Sequence, residues 1–499
     1  MILCLLASKM KETPIEFPIL AGFIQKNRAM IENLGNFSLK ILGIFVSLPQ
    51  KSRFMYYQRL REDAIALKLK SSGAVLVAGP KFCGKTTTCM LYQNSFVKLN
   101  TKQAIAMARM NPRAVLNGDK PRLIDEWQKA PDIWNQVKDD LDFEYQFGKY
   151  ILTGSSTPAD KTEIHHTGAG RIAPLTMRPM TLWESKESKG TVSLKDLFEG
   201  GKNFPWDMNA DFTLDDVAFL LCRGGWPISV LAPRDIAIEI TKNYYNGLFV
   251  FEDNENERLT SSTSLALGKA RTSSAVRSLE RRFRNKKPEF LRMILRSYAR
   301  NISSEAAIST IISDIRQSNE RTMDTKTYDD YMDALKDLYI IEDMDAWNPN
   351  IRSKTSIRST PTRHFVDTSI ACRSLGVSPG DLMKDLNSFG LFYEDFAVRD
   401  LRVYADCLGG TVKHYRDNAG LECDAVVHLE DGSWGGIEIK LGGDDLIDEG
   451  AESLKTLRNK IIEKSDEKAP SFLLVLTAVG GAYKRDDGVY VAPINLLKP

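Results

Sequence analysis

An apolar run with two β-branched residues, Gly73-Ala74-Val75-Leu76-Val77-Ala78, leads without a break into Gly79-Pro80-Lys81-Phe82-Cys83-Gly84-Lys85-Thr86. The run has the character of a strand buried on both faces of a parallel sheet. The octet fits GxxxxGK[ST] at every fixed position. Together they require a strand that hands its C-terminal end to a loop, and a helix that starts at Thr86 with its N-terminus facing an anion. In such a loop the glycines let backbone N–H groups wrap phosphate oxygens, while Lys85 reaches the β and γ oxygens and the Thr86 hydroxyl coordinates magnesium. The expected nucleotide contacts are Gly79, Pro80, Lys81, Phe82, Cys83, Gly84, Lys85, Thr86 and Thr87, with ATP and Mg2+ as the ligands.

A second half of such a site follows in sequence. Arg122-Leu123-Ile124-Asp125-Glu126 reads as another short buried strand ending in two carboxylates. Asp125 is placed to hold magnesium with Thr86, and Glu126 to orient and deprotonate an attacking water. Tyr150-Ile151-Leu152-Thr153-Gly154-Ser155-Ser156 is a third apolar strand, and it delivers Thr153 as a polar sensor of the γ-phosphate. Thr167-Gly168-Ala169-Gly170-Arg171 sets an arginine on a glycine-rich loop. Arg171 is expected either to reach the charge of phosphoryl transfer, within its own chain or across a homo-oligomer, or to be a surface arginine. Lys85, Glu126, Thr153 and Arg171 are thus the candidate catalytic residues.

These residues resemble a family of prokaryotic AAA-type ATPases joined to a C-terminal domain of unknown function with a nuclease-like core. The likeness rests on GPKFCGKT at 79 to 86, LIDEWQKAP at 123 to 131, ILTGSS at 151 to 156, GAGRIAPLTMRPMTLWE at 168 to 184 and RGGWP at 223 to 227. It runs from about residue 55 to nearly the end, and the stretch before Arg59 lacks the proline usual in the family. The resemblance implies a parallel-sheet ATPase followed by further domains.

With 499 residues the chain is too long for one hydrophobic core. The expected fold class is α/β, divided into an N-terminal extension (1–50), an ATPase core (51–190), a helical lid (191–275), a winged-helix-like domain (276–375) and a mixed α/β nuclease-like domain (376–499). A formal net charge of +2 gives no global field for nucleic acid, so any DNA contact must be local. Seven scattered cysteines and five histidines, with no CxxC pair, argue against a disulfide framework or a zinc site and fit a reducing cytoplasm. The apolar stretches Met1 to Ala7 and Leu39 to Leu48 fall short of the ~20 residues a membrane helix needs, so no membrane partner is expected.

Between Ser273 and Pro288, Arg277, Arg281, Arg282, Arg284, Lys286 and Lys287 form a basic run. It is read either as a phosphate-backbone contact or as a solvated helix face. Three helices are expected at Glu289 to Arg300, Ser304 to Ile315 and Thr327 to Leu338, then a strand at Tyr339-Ile340-Ile341. The third helix carries Asp329, Asp330, Asp333 and Asp337 against Lys336, which repels phosphate and favours a structural or protein-contact role.

Near the C-terminus, a helix opening at Gly390 precedes strands at about Val412 to Tyr415, Glu422 to Leu429 and Gly435 to Ile439. A three-residue turn at Asp431, Gly432 and Ser433 would set Asp424 opposite Lys440, with Glu438 on the same face. Glu394, Asp424 and Glu438-x-Lys440 resemble the PD-(D/E)XK nuclease constellation. That likeness implies magnesium held by Asp424 and Glu438, Glu394 completing the set, and Lys440 positioning water. Two functional readings follow: a magnesium-dependent ATPase that couples nucleotide state to a nuclease-like domain acting on DNA, or a nucleotide-dependent switch that binds a protein partner, with an inactive nuclease fold.

Overall fold

Five short parallel strands make the first sheet: β1 (Ala74–Ala78), β2 (Ser95–Lys98), β3 (Arg122–Asp125), β4 (Tyr150–Gly154) and β5 (Ile172–Thr176), in the order β2-β3-β4-β1-β5. The helices around them are α1 (Glu62–Ser71), α2 (Lys85–Cys89), α3 (Lys102–Met110), α4 (Pro112–Val115) and α5 (Asp132–Phe143). Alternate residues along these strands face opposite sides, and both sides are apolar, as a sheet covered by helices demands. Ala74, Ile124 and Leu152 pack with Trp134, Val137 and Leu141 of α5. On the other face Val75, Val77, Leu123 and Ile151 pack with Ile65 of α1. Because every strand runs the same way, Ala78, Asp125, Gly154 and Thr176 all end at one edge of the sheet.

The computed structural model describes residues 56–156, 167–207, 211–249, 288–318, 323–349, 359–464 and 469–499. The N-terminal extension expected at 1–50 and the basic run from Arg277 to Lys287 lie outside the described residues. Tyr57 to Pro499 form one unit. Among the described residues no helix is long and apolar enough to cross a membrane, and the described cysteines are free thiols.

After the first sheet come β6 (Val192–Ser193), α6 (Leu194–Phe198), α7 (Leu214–Arg223), α8 (Pro227–Val230) and α9 (Arg234–Gly247). Thr213 and Asp216 form a capping box that starts α7. The three helices expected in the middle are present as α10 (Pro288–Arg300), α11 (Ile308–Ser318) and α12 (Thr325–Asp337). The strand expected at 339–341 is not: Ile341 makes a single antiparallel bridge to Phe365, and Met344 one to Thr362. Two short helices, α13 (Thr368–Leu375) and α14 (Pro379–Leu382), lead to the C-terminal part.

There the 22-residue α15 (Leu386–Cys407) precedes β7 (Gly410–Arg416), β8 (Glu422–Leu429), β9 (Trp434–Lys440), α16 (Asp444–Lys464), β10 (Phe472–Thr477), β11 (Tyr483–Lys484), β12 (Tyr490–Pro493) and β13 (Leu497–Lys498). Six of the strands form a mixed sheet in the order β11-β12-β10-β9-β8-β7. β7, β8 and β9 are antiparallel, and β10 runs parallel to β9 and β12.

The first sheet is packed by apolar clusters of its own on its two faces. One continuous apolar cluster runs from Leu182 through α7, α10, α12 and α15 to Leu497. The chain between Ser188 and Asp207, expected to begin a lid, is built onto the C-terminal part. β6 pairs in parallel with β13, and Asp207 bridges Ala482. Apolar side chains on the two elements, such as Phe198 against Phe472 with ring centroids 5.0 Å apart, supply the reason.

Candidate functional site

The loop after β1 turns through two left-handed glycines and one left-handed phenylalanine: Gly79 at φ 151°, Phe82 at φ 64° and Gly84 at φ 99°. A side chain at Gly79 would collide with the Met177 carbonyl, so the loop cannot pass there with any other residue. Lys85 is buried, and its ammonium donates to the carbonyls of Gly79 (2.9 Å) and Pro80 (2.7 Å), which folds it back across the loop. Cys83 is buried, its thiol 3.2 Å from the Met177 carbonyl. Phe82 is half exposed, and its ring meets Tyr244 of α9 edge-on at 5.9 Å.

Asp125 gathers the polar residues expected of a metal site. It is 3% exposed. Its Oδ1 accepts the Thr86 hydroxyl at 2.8 Å and the Thr153 hydroxyl at 2.6 Å, and Lys98 stands 3.5 Å from Oδ2. β4 lies between β1 and β3, which is how Thr153 comes to sit between the loop and the carboxylate.

Glu126, the next residue, has a left-handed backbone (φ 64°) fixed by its N–H donating to the Thr153 carbonyl at 2.8 Å. The Gln128 amide donates to its Oε2 at 3.0 Å, Lys129 lies 3.5 Å from Oε2, and the Ser155 hydroxyl is 3.4 Å from Oε1. Burial lowers the Lys129 pKa, while Glu126 opposes that shift. Two buried atoms beside Glu126, Trp127 Nε1 and Gln128 Oε1, have no hydrogen-bond partner among the described residues. Both flank Gly154, 3.1 Å from the point where a side chain there would begin.

Arg171 does not join this set. It immediately precedes β5, so it lies at the N-terminal edge of the sheet, and its carbonyl accepts the N–H of Ala74 at the start of β1. Its guanidinium donates to Asp142 at 2.6 Å. The phosphate loop is at the far end of β1, so Arg171 cannot reach its own chain's site. The residue before a strand and the residue after it lie on opposite edges of a parallel sheet, and that rule was available from sequence.

Sequence reasoning gave Arg59 and Glu184 no role, though both lie in or beside the quoted family segments. Both are buried and paired at 2.9 Å directly behind the phosphate loop. Nothing local to Arg59 announces its partner, which is 125 residues away.

In the C-terminal part, Glu394, Asp424, Glu438 and Lys440 come together, with a different register. β8 and β9 pair Val427 with Gly435 and Ala425 with Ile437. The turn is Glu430-Asp431-Gly432, closed by the Leu429 N–H donating to the Ser433 carbonyl at 2.9 Å. One step further along this register brings Asp424 level with Glu438, not with Lys440 as expected. A slip of two residues preserves the face, which is why the cluster survives.

Lys440 lies 2.9 Å from Glu438 and 3.8 Å from Asp424. Asp424 also accepts the Ile439 N–H at 2.7 Å, and Ser453 of α16 donates to Glu438 at 3.3 Å. Burial, then the charge of Asp424, pushes the Glu438 carboxyl up to about 8. Burial likewise raises Asp424 and raises Glu394 well above the carboxylate range. Among the described residues no three or more Asp, Glu, His or Cys side chains are arranged to hold a metal ion. Lys440 and Ser453 take up oxygens of Asp424 and Glu438.

Residues 71–186 match the family model described as an AAA domain. Residues 261–381 and 389–497 match two families described as domains of unknown function, DUF8612 and DUF4143. No curated protein matches the chain. Among solved structures, the Walker-type ATPase of Pyrococcus abyssi aligns at 13% identity and a TM-score of 0.38, over 65% of this chain and 98% of its own. The parallel sheet, the phosphate loop at its strand ends and the family match together give the chain a P-loop ATPase-like domain of the AAA type, followed by a mixed-sheet C-terminal domain.

Proposed function

We propose that the protein binds ATP with magnesium at the loop from Gly79 to Thr87, hydrolyses it, and passes the nucleotide state to the C-terminal domain. The observation that carries this reading is the convergence of the Thr86 and Thr153 hydroxyls on the buried Asp125 carboxylate. That all-oxygen donor set suits a hard divalent cation. Thr86 and Asp125 would hold magnesium, which when bound neutralises charge on the β and γ oxygens. Lys85 moves from the Gly79 and Pro80 carbonyls to the phosphates. The Glu126 carboxylate accepts the proton of the attacking water and is aimed by Gln128 and Lys129. Thr153 reads the γ-phosphate against Asp125, and the unpaired Trp127 and Gln128 atoms lie where a polar ligand can satisfy them.

Magnesium-dependent ATP turnover by the wild type, Lys85→Ala and Glu126→Gln, with and without DNA, tests this. Lys85→Ala should lose nucleotide binding. Glu126→Gln should bind ATP yet turn over about 100-fold more slowly or worse. A wild type that neither binds nor hydrolyses ATP with magnesium refutes the proposal.

The C-terminal cluster supports two readings of the load. The order helix α15, three antiparallel strands, helix α16 and parallel strand β10 brings two carboxylates and a lysine to one face, as in the nuclease-like constellation, which favours DNA as substrate. In that case Asp424→Ala abolishes cleavage and leaves ATP turnover intact. The exposed Asp329, Asp330 and Asp333 on α12 favour instead a nucleotide-dependent switch that binds a protein. Its signature is a partner captured by the ATP-bound Glu126→Gln protein and released with ADP, and no cleavage by any variant.

A further inference from the structure

A phosphate-binding loop works by turning its N–H groups inward, and a planar peptide that turns its N–H inward turns its carbonyl outward. Those outward carbonyls need donors of their own. In this protein the carbonyl of Cys83, whose peptide carries the Gly84 N–H at the head of the loop, accepts from Arg59 Nη1 at 2.5 Å. Arg59 is 3% exposed. Its other nitrogens are also committed: Nη2 donates to the Arg178 carbonyl at 2.7 Å and Nε to Glu184 Oε1 at 2.9 Å. Glu184 is held in turn by the N–H groups of Leu60 (2.8 Å) and Thr181 (2.9 Å). A side chain at Gly84 would come within 3.2 Å of Arg59 Nη1, so the glycine also makes room for this arginine.

The same Arg178 whose carbonyl faces Arg59 sends its side chain the other way. Nε donates to Glu342 Oε2 at 2.8 Å, and Nη1 donates to Asp406 of α15 at 2.8 Å. Arg61 also stands 3.7 Å from Asp406. Arg178, Glu342 and Asp406 border a cleft of about 190 Å³ between the residues after α12, α15 and β7.

We propose that Arg59 is a positioning residue of the nucleotide site. It locks the Cys83–Gly84 peptide with its N–H toward the phosphates, and Arg178 extends that hold to Asp406, so the loop and α15 respond to one another. This rests on the assignment of ATP to the loop. A lysine at 59 can reach one of the three acceptors but not all of them, because it lacks the planar fork of the guanidinium.

The test is the dissociation constant of magnesium-ATP and of ADP, by calorimetry on the full chain, for the wild type, Arg59→Lys, Asp406→Asn and Lys85→Ala, with Tm measured alongside. Arg59→Lys should bind both nucleotides about tenfold more weakly, roughly 1.4 kcal/mol. Asp406→Asn, remote from the loop and half-exposed, should weaken both by about two- to fourfold at a Tm close to the wild type, a shift of the size that couples two sites. A purely structural Arg59 would lower Tm in Arg59→Lys and leave the dissociation constants of the folded protein unchanged, which overturns the positioning role. Unchanged affinity in Asp406→Asn overturns the link to α15. If the wild type itself binds no nucleotide, it is the assignment of ATP that falls.

Discussion

Replacing Asp367 by alanine should destabilise the protein by about 4 kcal/mol. Asp367 is fully buried at the start of α13. It accepts the Gly225 N–H at 2.8 Å, Arg399 Nη1 at 2.9 Å, the Ser369 N–H at 3.1 Å and the Ser369 hydroxyl. Among the described residues Arg399, 1% exposed on its side chain, keeps only Asp400 as an ionic partner when Asp367 is gone. Removing one partner from a buried charge pair costs roughly 3–5 kcal/mol, and a buried N–H left without an acceptor costs roughly 1–3. The surviving Asp400 offsets part of both, which leaves about 4.

Asp367→Asn retains the shape and one acceptor oxygen, so it should cost about half as much. Urea unfolding followed by tryptophan fluorescence measures both, because Trp226 donates to Ser369 at 3.0 Å and reports on this turn directly. A loss below about 1 kcal/mol for Asp367→Ala, or a larger loss for asparagine than for alanine, would refute the argument.

Asp400 supplies a pH test. Burial pushes its carboxyl up to about 6 although Arg399 opposes the shift. A carboxyl raised above its unfolded value of about 3.9 contributes stability that is full below that value and lost as pH rises through 6. The stability of the wild type minus that of Asp400→Asn should therefore fall by about 2–3 kcal/mol between pH 4 and 7, and a flat difference contradicts the buried-acid account. Arg171→Ala should keep ATP turnover within twofold at protein concentrations where the chain is monomeric, because the guanidinium sits at the opposite sheet edge. Turnover that falls with Arg171→Ala only as the wild type assembles would assign it to a neighbouring subunit.

What could be read from sequence was local. The strand before Gly79, the strand ending at Asp125 and the strand ending at Thr153 are apolar runs flanked by chemistry-bearing residues, and each lies where the pattern places it. α10 and α12 show the same legibility, since their buried faces repeat at helical spacing. The β8–β9 register was misread because the three-residue turn is Glu430-Asp431-Gly432 and not Asp431-Gly432-Ser433: moving the turn by one residue moves the pairing by two, and nothing local distinguishes the two positions when Asp431-Gly432 suits both. Hidden altogether were pairings between distant segments: Arg59 with Glu184, Gly225 with Asp367, Leu182 with Asp400. RGGWP could be recognised as a segment, but not why it has two glycines. A side chain at Gly224 would strike Asp367, and one at Gly225 would strike the Met180 carbonyl.

The parallel pairing of β6 with β13 has a consequence for how the chain is assembled. The Ser188 hydroxyl donates to the Leu497 carbonyl across 309 residues of sequence, and the Lys189 N–H donates to the Asn495 carbonyl. During synthesis the first sheet can close once residue 176 is made, whereas Val192 and Ser193 wait for a strand translated roughly 300 residues later. Closing a loop of that length costs about 5 kcal/mol of chain entropy, and such long-range contacts form slowly. The ATPase-like sheet is thus free to mature first, and β13 acts as a late clasp that fastens the segment leaving it to the C-terminal part.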